Sequence, residues 1–171
     1  MEERTGIATV RGNPLTLVGK EIRVGDPAPD FEALDNDLNP VKFSSYRGKV
    51  VILCSVPSLD TPVCDMETRR FNQEAPKLGP DVVILTVSMD LPFAQKRWCG
   101  AAGVENVTTL SDHREAAFGL AYGVLLKELR LLARSIFVVD RDGVVRYVQL
   151  VNELGEEPDY EAALNAVKEV V

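Results

Sequence analysis

The sequence predicts an α/β fold: a central mixed β-sheet flanked by helices, with a β-hairpin added near the N-terminus. Two observations carry this. KVVILCSV (49–56) and DVVILTVSM (81–89) are continuous apolar, β-branched runs, each followed by a helical segment. Strands covered on both faces read this way, and alternation with helices points to parallel pairing. Further on, SIFVVD and VVRYVQLV flank Arg141-Asp142-Gly143, a hairpin signal, and lead to a last amphipathic segment.

In chain order, ATVRGNPLTLVG (8–19) reads as a hairpin turning at Gly12-Asn13-Pro14. GDPAPDFEALDND (25–37) reads as a loop that is briefly extended, and residues 49–56 form the first buried strand. PVCDMETRRFNQEAPKL (62–78) reads as a helix to about Ala75, with Thr61 as N-cap, Pro62 at N1, and Asp65 and Glu67 in the first turns. Residues 81–89 are the second buried strand. LPFAQKRWCGAAG (91–103) is a short helix, capped by Asp90 and ended by Gly100 or Gly103. NVTTLSD and HREAAFGLAYG add a strand and a helix. DYEAALNAVKEVV closes the order with Tyr160, Ala163, Leu164, Val167 and Val171 as its apolar stripe. Two βα units, an inserted strand and helix, an antiparallel hairpin and a final helix make a thioredoxin-like layout.

With 171 residues and no internal repeat or linker, the chain is expected to form one domain, 1–171. A net charge of −7 argues against nucleic-acid or anionic-membrane binding, which would want a basic face. No run of 18 apolar residues and no signal-peptide core occurs, so a cytoplasmic location is expected. Cys54, Cys64 and Cys99 are too few and too widely spaced for a disulfide scaffold, and with His113 the only histidine a closed zinc site is not expected. Such cysteines are inert core or reactive thiols.

Position distinguishes them. Cys64 falls in the first turn of the helix after the central strand, at the sheet edge where α/β proteins place ligands. Unpaired N–H groups and a positive partial charge at a helix start favour a thiolate. Thr61, three residues earlier, can cap that helix or donate to an oxygen lying against the sulfur. Cys99 sits at a helix end, where a thiolate is disfavoured, and nearby glycines make its segment deformable. Cys54 lies within a buried strand, where a thiol is a small apolar filler. Trp98 reads as a packing residue, His113 as solvated, and Arg69-Arg70 as an exposed helix face.

Pro57-Ser58-Leu59-Asp60-Thr61-Pro62-Val63-Cys64 matches the PxxxTxxC motif of the peroxiredoxins. SLDTPVC, DLPFAQKRWCGAAGVENVTTLSD, GNPLTLVGKEIRVGDPAPDF and QLVNELGEEPDYEAAL together resemble the bacterial thiol peroxidase subfamily over nearly the whole chain. The resemblance implies Cys64 as peroxidatic cysteine, Thr61 and Pro57 as its motif partners, Cys99 as resolving cysteine, and Arg134 as the active-site arginine. From the residues alone, Arg134 reads as a structural ion-pair residue.

The implied reaction reduces hydrogen peroxide and organic hydroperoxides. Cys64 becomes a sulfenic acid, Cys99 condenses with it to an intrachain disulfide, and thioredoxin restores the thiols. No cofactor or metal is needed. The disulfide is expected to require fraying of the first turn around Cys64 and movement of the Cys99 segment. Resolution is expected within one chain because no further cysteine follows the last helix. The family suggests a homodimer. A thiol–disulfide oxidoreductase is disfavoured by the missing CxxC pair; a redox-sensing module using the same two cysteines is the alternative of another class, separated by turnover.

Overall fold

The computed structural model of the chain describes residues 1–171. Its centre is a seven-stranded mixed sheet. Strands β5 (Val50–Ser55), β6 (Val82–Ser88) and β7 (Thr108–Ser111) run parallel in that order. β10 (Ser135–Val139) pairs antiparallel with the free side of β5, and β11 (Val145–Leu150) lies outside it. Beyond β7, β3 (Glu32–Leu34) and β4 (Pro40–Lys42) complete the sheet. Helices α1 (Pro62–Leu78), α2 (Pro92–Ala102), α3 (Ala117–Ala121) and α4 (Tyr160–Val170) connect or close these strands.

Side chains on a strand alternate between faces, and β5 is buried at every position. Val50, Ile52 and Cys54 join Phe71 of α1 and Ala163, Leu164 and Val167 of α4 on one face. Val51 and Leu53 face the other way, toward Phe118, Tyr122 and Phe137 and the residues of a second sheet. That antiparallel sheet has the order β1 (Glu3–Val10), β2 (Asn13–Val18), β8 (Leu125–Leu126), β9 (Leu131–Leu132). The thioredoxin-like plan expected from the sequence is thus present, with helices against both faces of the central sheet.

Several details differ from the sequence reading. The N-terminal hairpin turns at Arg11-Gly12, one residue earlier than expected, and Asn13 already pairs with Val10. Both turn residues have positive φ, 50° and 79°, as a tight two-residue hairpin turn demands; proline, with φ locked negative, cannot serve there and sits in the strand. Helix α1 continues past Ala75 to Leu78 with Pro76 inside it. The Asn72 carbonyl, which Pro76 cannot satisfy, receives the Asn106 side-chain amide at 3.5 Å. The hairpins β3–β4 and β8–β9 were not anticipated. Strands of two or three residues are too short to show a period, and the β3–β4 turn is held by Asp35, whose Oδ1 accepts the N–H groups of Asp37 and Asn39. No helix is long and apolar enough to cross a membrane.

Candidate active site

The carboxyl ends of β5, β6 and β7 lie side by side, and one carboxylate ties them together. Asp90, just after β6, accepts the Ser58 hydroxyl at 2.7 Å and the Leu59 N–H at 2.8 Å, both from the loop that follows β5. It also accepts the Ser88 hydroxyl at 2.7 Å, while its own carbonyl accepts the Ser111 hydroxyl of β7. Gln95 donates to Ser88 and to the Leu110 carbonyl from within the same network. The expectation that Asp90 caps α2 is therefore corrected: its side chain is committed to the loop, and Leu91 holds the N-cap position with no side-chain bond.

This fixed loop delivers the chain into α1. Thr61 is the N-cap residue with extended backbone, but its hydroxyl donates to the Ser58 carbonyl at 2.9 Å rather than meeting the first helical turn. The capping role expected for that hydroxyl is not realised; it tightens the loop instead. Pro62 opens the helix and Cys64 is its third residue. Cys64 therefore lies among N–H groups that have no intrahelical carbonyl to bond. Pro57 is buried at the start of the same loop.

Arg134 enters from just before β10, the antiparallel neighbour of β5. Its Nη1 donates to Cys64 Sγ at 3.2 Å and its Nη2 to the Leu154 carbonyl at 2.8 Å. The Leu154 contact fixes the guanidinium plane, so the other nitrogen is aimed at the sulfur. Glu67, one helical turn after Cys64, has an oxygen 4.0 Å from the same Nη1, with both side chains 1% exposed. Neither Glu67 oxygen nor Arg134 Nε has a hydrogen-bond partner. Burial pushes the Glu67 carboxyl up to about 8, against the opposing pull of Arg134. The sequence reading passed over Glu67 except as a first-turn acid. Its spacing of three from Cys64 was the available signal, because such residues share a helix side.

Cys64 has no exposed surface. Val56, Leu59 and Trp98 pack around it. The sheet edge expected to admit a ligand is in place, but the sulfur beneath it is covered, and a reactant reaches it only if that cover moves. Cys99 is half-buried in the last turn of α2, which runs through Gly100 to a left-handed cap at Gly103. Its sulfur lies 3.5 Å from the Thr109 hydroxyl on β7, which in turn bonds Asn36. All three cysteines are free thiols. Cys54 is fully buried in the core, and burial, reinforced by Glu67, pushes its thiol up. Trp98 packs as expected, and its Nε1 also donates to Asp65 at 2.9 Å. Of the singled-out residues, the fold gathers Pro57, Thr61, Cys64 and Arg134 at one point; Cys99 lies on the neighbouring helix, facing β7.

Known proteins resemble the chain in sequence and in fold. The redoxin family model matches residues 23–164. A thiol peroxidase of Bacillus subtilis (strain 168) is 55% identical, the alignment covering 95% of this chain and 97% of that one. Another from Halalkalibacterium halodurans is 56% identical over 94% of this chain and 96% of that one. The crystal structure of a peroxiredoxin-like protein from Aquifex aeolicus superposes with a TM-score of 0.91 at 44% identity, covering 98% of both chains. A thiol peroxidase structure from Chromobacterium violaceum, 21% identical, shares the fold with a TM-score of 0.84 over 95% of both chains. A proline-bracketed cysteine at a helix start, an arginine bonded to its sulfur and relatedness of this extent lead to one assignment: the chain belongs to the redoxin family, among the bacterial thiol peroxidases of the peroxiredoxin type.

Proposed function

We propose that this protein reduces hydrogen peroxide and organic hydroperoxides with Cys64 as the attacking thiolate. The observation that carries the reading is the 3.2 Å contact from Arg134 Nη1 to Cys64 Sγ at the start of α1. A guanidinium keeps its protons, so such a donor stabilises a sulfur anion, and the helix start adds to the effect. In the reaction Cys64 sulfur bonds to one peroxide oxygen as the O–O bond breaks. The electron pair leaves with the other oxygen, which departs as RO⁻ and is protonated to ROH. Charge thus moves from sulfur to oxygen along a line flanked by fixed donors, where preorganised donors lower a barrier most. Arg134 and the α1 N–H groups supply donors, Thr61 shapes the turn that aims them, and Pro57 shields the sulfur from water.

The sulfenic acid of Cys64 then condenses with the Cys99 thiol, releasing water and forming an intrachain disulfide. A dithiol reductant of the thioredoxin type restores both thiols. The electrons come from thiols throughout, so the cycle calls for no cofactor. A reducing compartment, the cytoplasm, suits three free thiols. We place the chain there as one catalytic domain that assembles as a homodimer.

Rapid mixing of the reduced protein with peroxide, followed by Trp98 fluorescence, tests this. Cys64→Ser should abolish the fast phase. Cys99→Ser should keep the first oxidation and lose disulfide-linked turnover with thioredoxin and its reductase. Cys54→Ser should behave as the parent. Loss of the fast phase in Cys54→Ser with its survival in Cys64→Ser would overturn the assignment.

A further inference from the structure

Two neighbours of the cysteines are tied to each other. Asp65 follows Cys64 in α1, and Trp98 precedes Cys99 in α2. Both oxygens of the Asp65 carboxylate are engaged: Oδ1 accepts Trp98 Nε1–H at 2.9 Å, and Oδ2 accepts Arg69 Nε–H at 2.9 Å. Arg69 completes a ring. Its guanidinium lies 5.8 Å from the Trp98 ring centre, and its Nη1 donates to the carbonyl of Ala102, the last residue of α2, at 3.4 Å. The Trp98 ring also packs against the cluster that covers Cys64. The first two turns of α1 and the last turns of α2 are thus joined by the Trp98–Asp65 hydrogen bond, a cation–π contact and a bond to a helix-end carbonyl, while Asp65 also holds Arg69 in place within α1.

We propose that Asp65, Trp98 and Arg69 form a latch that positions the two cysteine segments and sets how fast the Cys64 sulfenic acid passes to Cys99. This rests on the peroxidase reading. A disulfide needs Cα atoms about 4.4–6.8 Å apart with the sulfurs in contact, whereas the Cys99 sulfur is turned toward Thr109 of β7 and Cys64 is held inside α1 by Arg134. Both segments must leave their present places, and the residue beside each cysteine is the one that is tied. While the latch is closed, the sulfenic acid stays where the first peroxide formed it, at the start of α1. A second peroxide there oxidises the sulfenate to sulfinate, transferring one oxygen to sulfur and releasing ROH. When the latch opens, sulfenic acid and the Cys99 thiol condense to disulfide and water. Latch strength therefore partitions Cys64 between resolution and overoxidation. Asp65 and Arg69 are positioning residues here and touch no substrate.

A hydrogen bond to an ionised group is among the stronger kinds, but the Asp65 and Arg69 side chains are 31% and 47% exposed, and solvent weakens their pairing. A tenfold effect follows, equivalent to about 1.4 kcal/mol.

The test mixes reduced full-length protein with hydrogen peroxide, quenches it with acid or a sulfenic-acid trap, and weighs the products by mass spectrometry. Asp65→Ala removes both carboxylate bonds; Trp98→Phe keeps a ring and removes only the Nε1–H donor. Disulfide formation should be about tenfold faster in Asp65→Ala and several-fold faster in Trp98→Phe, with the sulfinate fraction falling in proportion. In a Cys99→Ser background, the first oxidation should speed up less than disulfide formation does, because Val56 and Leu59 still cover the sulfur. A merely structural lesion would not speed resolution. The latch is refuted if both variants form disulfide within twofold of the parent rate, or more slowly. Failure of the parent to form any Cys64 sulfenic acid overturns the peroxidase reading and the latch with it; normal parent turnover with unaltered variants overturns the latch alone.

Discussion

Replacing Glu67 by Gln should remove a pH dependence from the stability of the reduced protein. The Glu67 carboxyl is 1% exposed, makes no hydrogen bond and is pushed up to about 8 from an ordinary value of 4.5, chiefly by burial. Between these two values the native state holds a proton that the unfolded chain has released. The unfolding free energy must therefore fall as pH rises across that window and level off on either side. An interval of about 3.5 pH units would correspond to about 5 kcal/mol at 1.36 kcal/mol per unit. Water entry and relaxation on ionisation reduce this, and about 2–3 kcal/mol is expected between pH 5 and 9. Gln is neutral and nearly isosteric, so Glu67→Gln should show a flatter profile and be the more stable protein at pH 9. Asp112, raised to about 6 by burial, contributes a smaller fall over a lower and narrower pH window in both proteins. Urea unfolding monitored by circular dichroism at half-unit pH steps, with thiols kept reduced, measures the difference. Parallel profiles within about 0.5 kcal/mol would refute the claim that a neutral, buried Glu67 faces Arg134.

Arg134→Lys offers one ammonium where a guanidinium bonds both Cys64 Sγ and the Leu154 carbonyl; stopped-flow oxidation by hydrogen peroxide should slow by about 10²–10³-fold, and a change below threefold would remove Arg134 from the chemistry. Asp90→Ala frees Ser58, Ser88 and the Leu59 N–H together, with an expected loss of about 2–3 kcal/mol in urea unfolding. Gly123→Ala forces a Cβ against the Lys20 carbonyl at a φ of +67°; left-handed strain plus overpacking should cost about 2–4 kcal/mol, read as a lower thermal midpoint.

The sequence by itself determined the features that local chemistry controls. Unbroken β-branched runs identified β5 and β6 as strands buried on both faces. Thr61 and Pro62 placed the start of α1 and put Cys64 in its first turn, because capping and proline geometry act within a few residues. The two- and three-residue strands escaped, being too short to carry a period. Only the tertiary structure decided what surrounds the sulfur. Arg134 reaches Cys64 across 70 positions of sequence because β10 pairs with β5. Asp90 holds the Ser58–Leu59 loop, not the helix beside it, because parallel β5 and β6 end at the same level. The orphaned carboxylate of Glu67, the covered sulfur and the Asp65–Trp98 tie likewise join segments whose meeting is set by how the sheet is ordered. Burial and pairing of charge depend on the whole packed chain, and no local pattern encodes them.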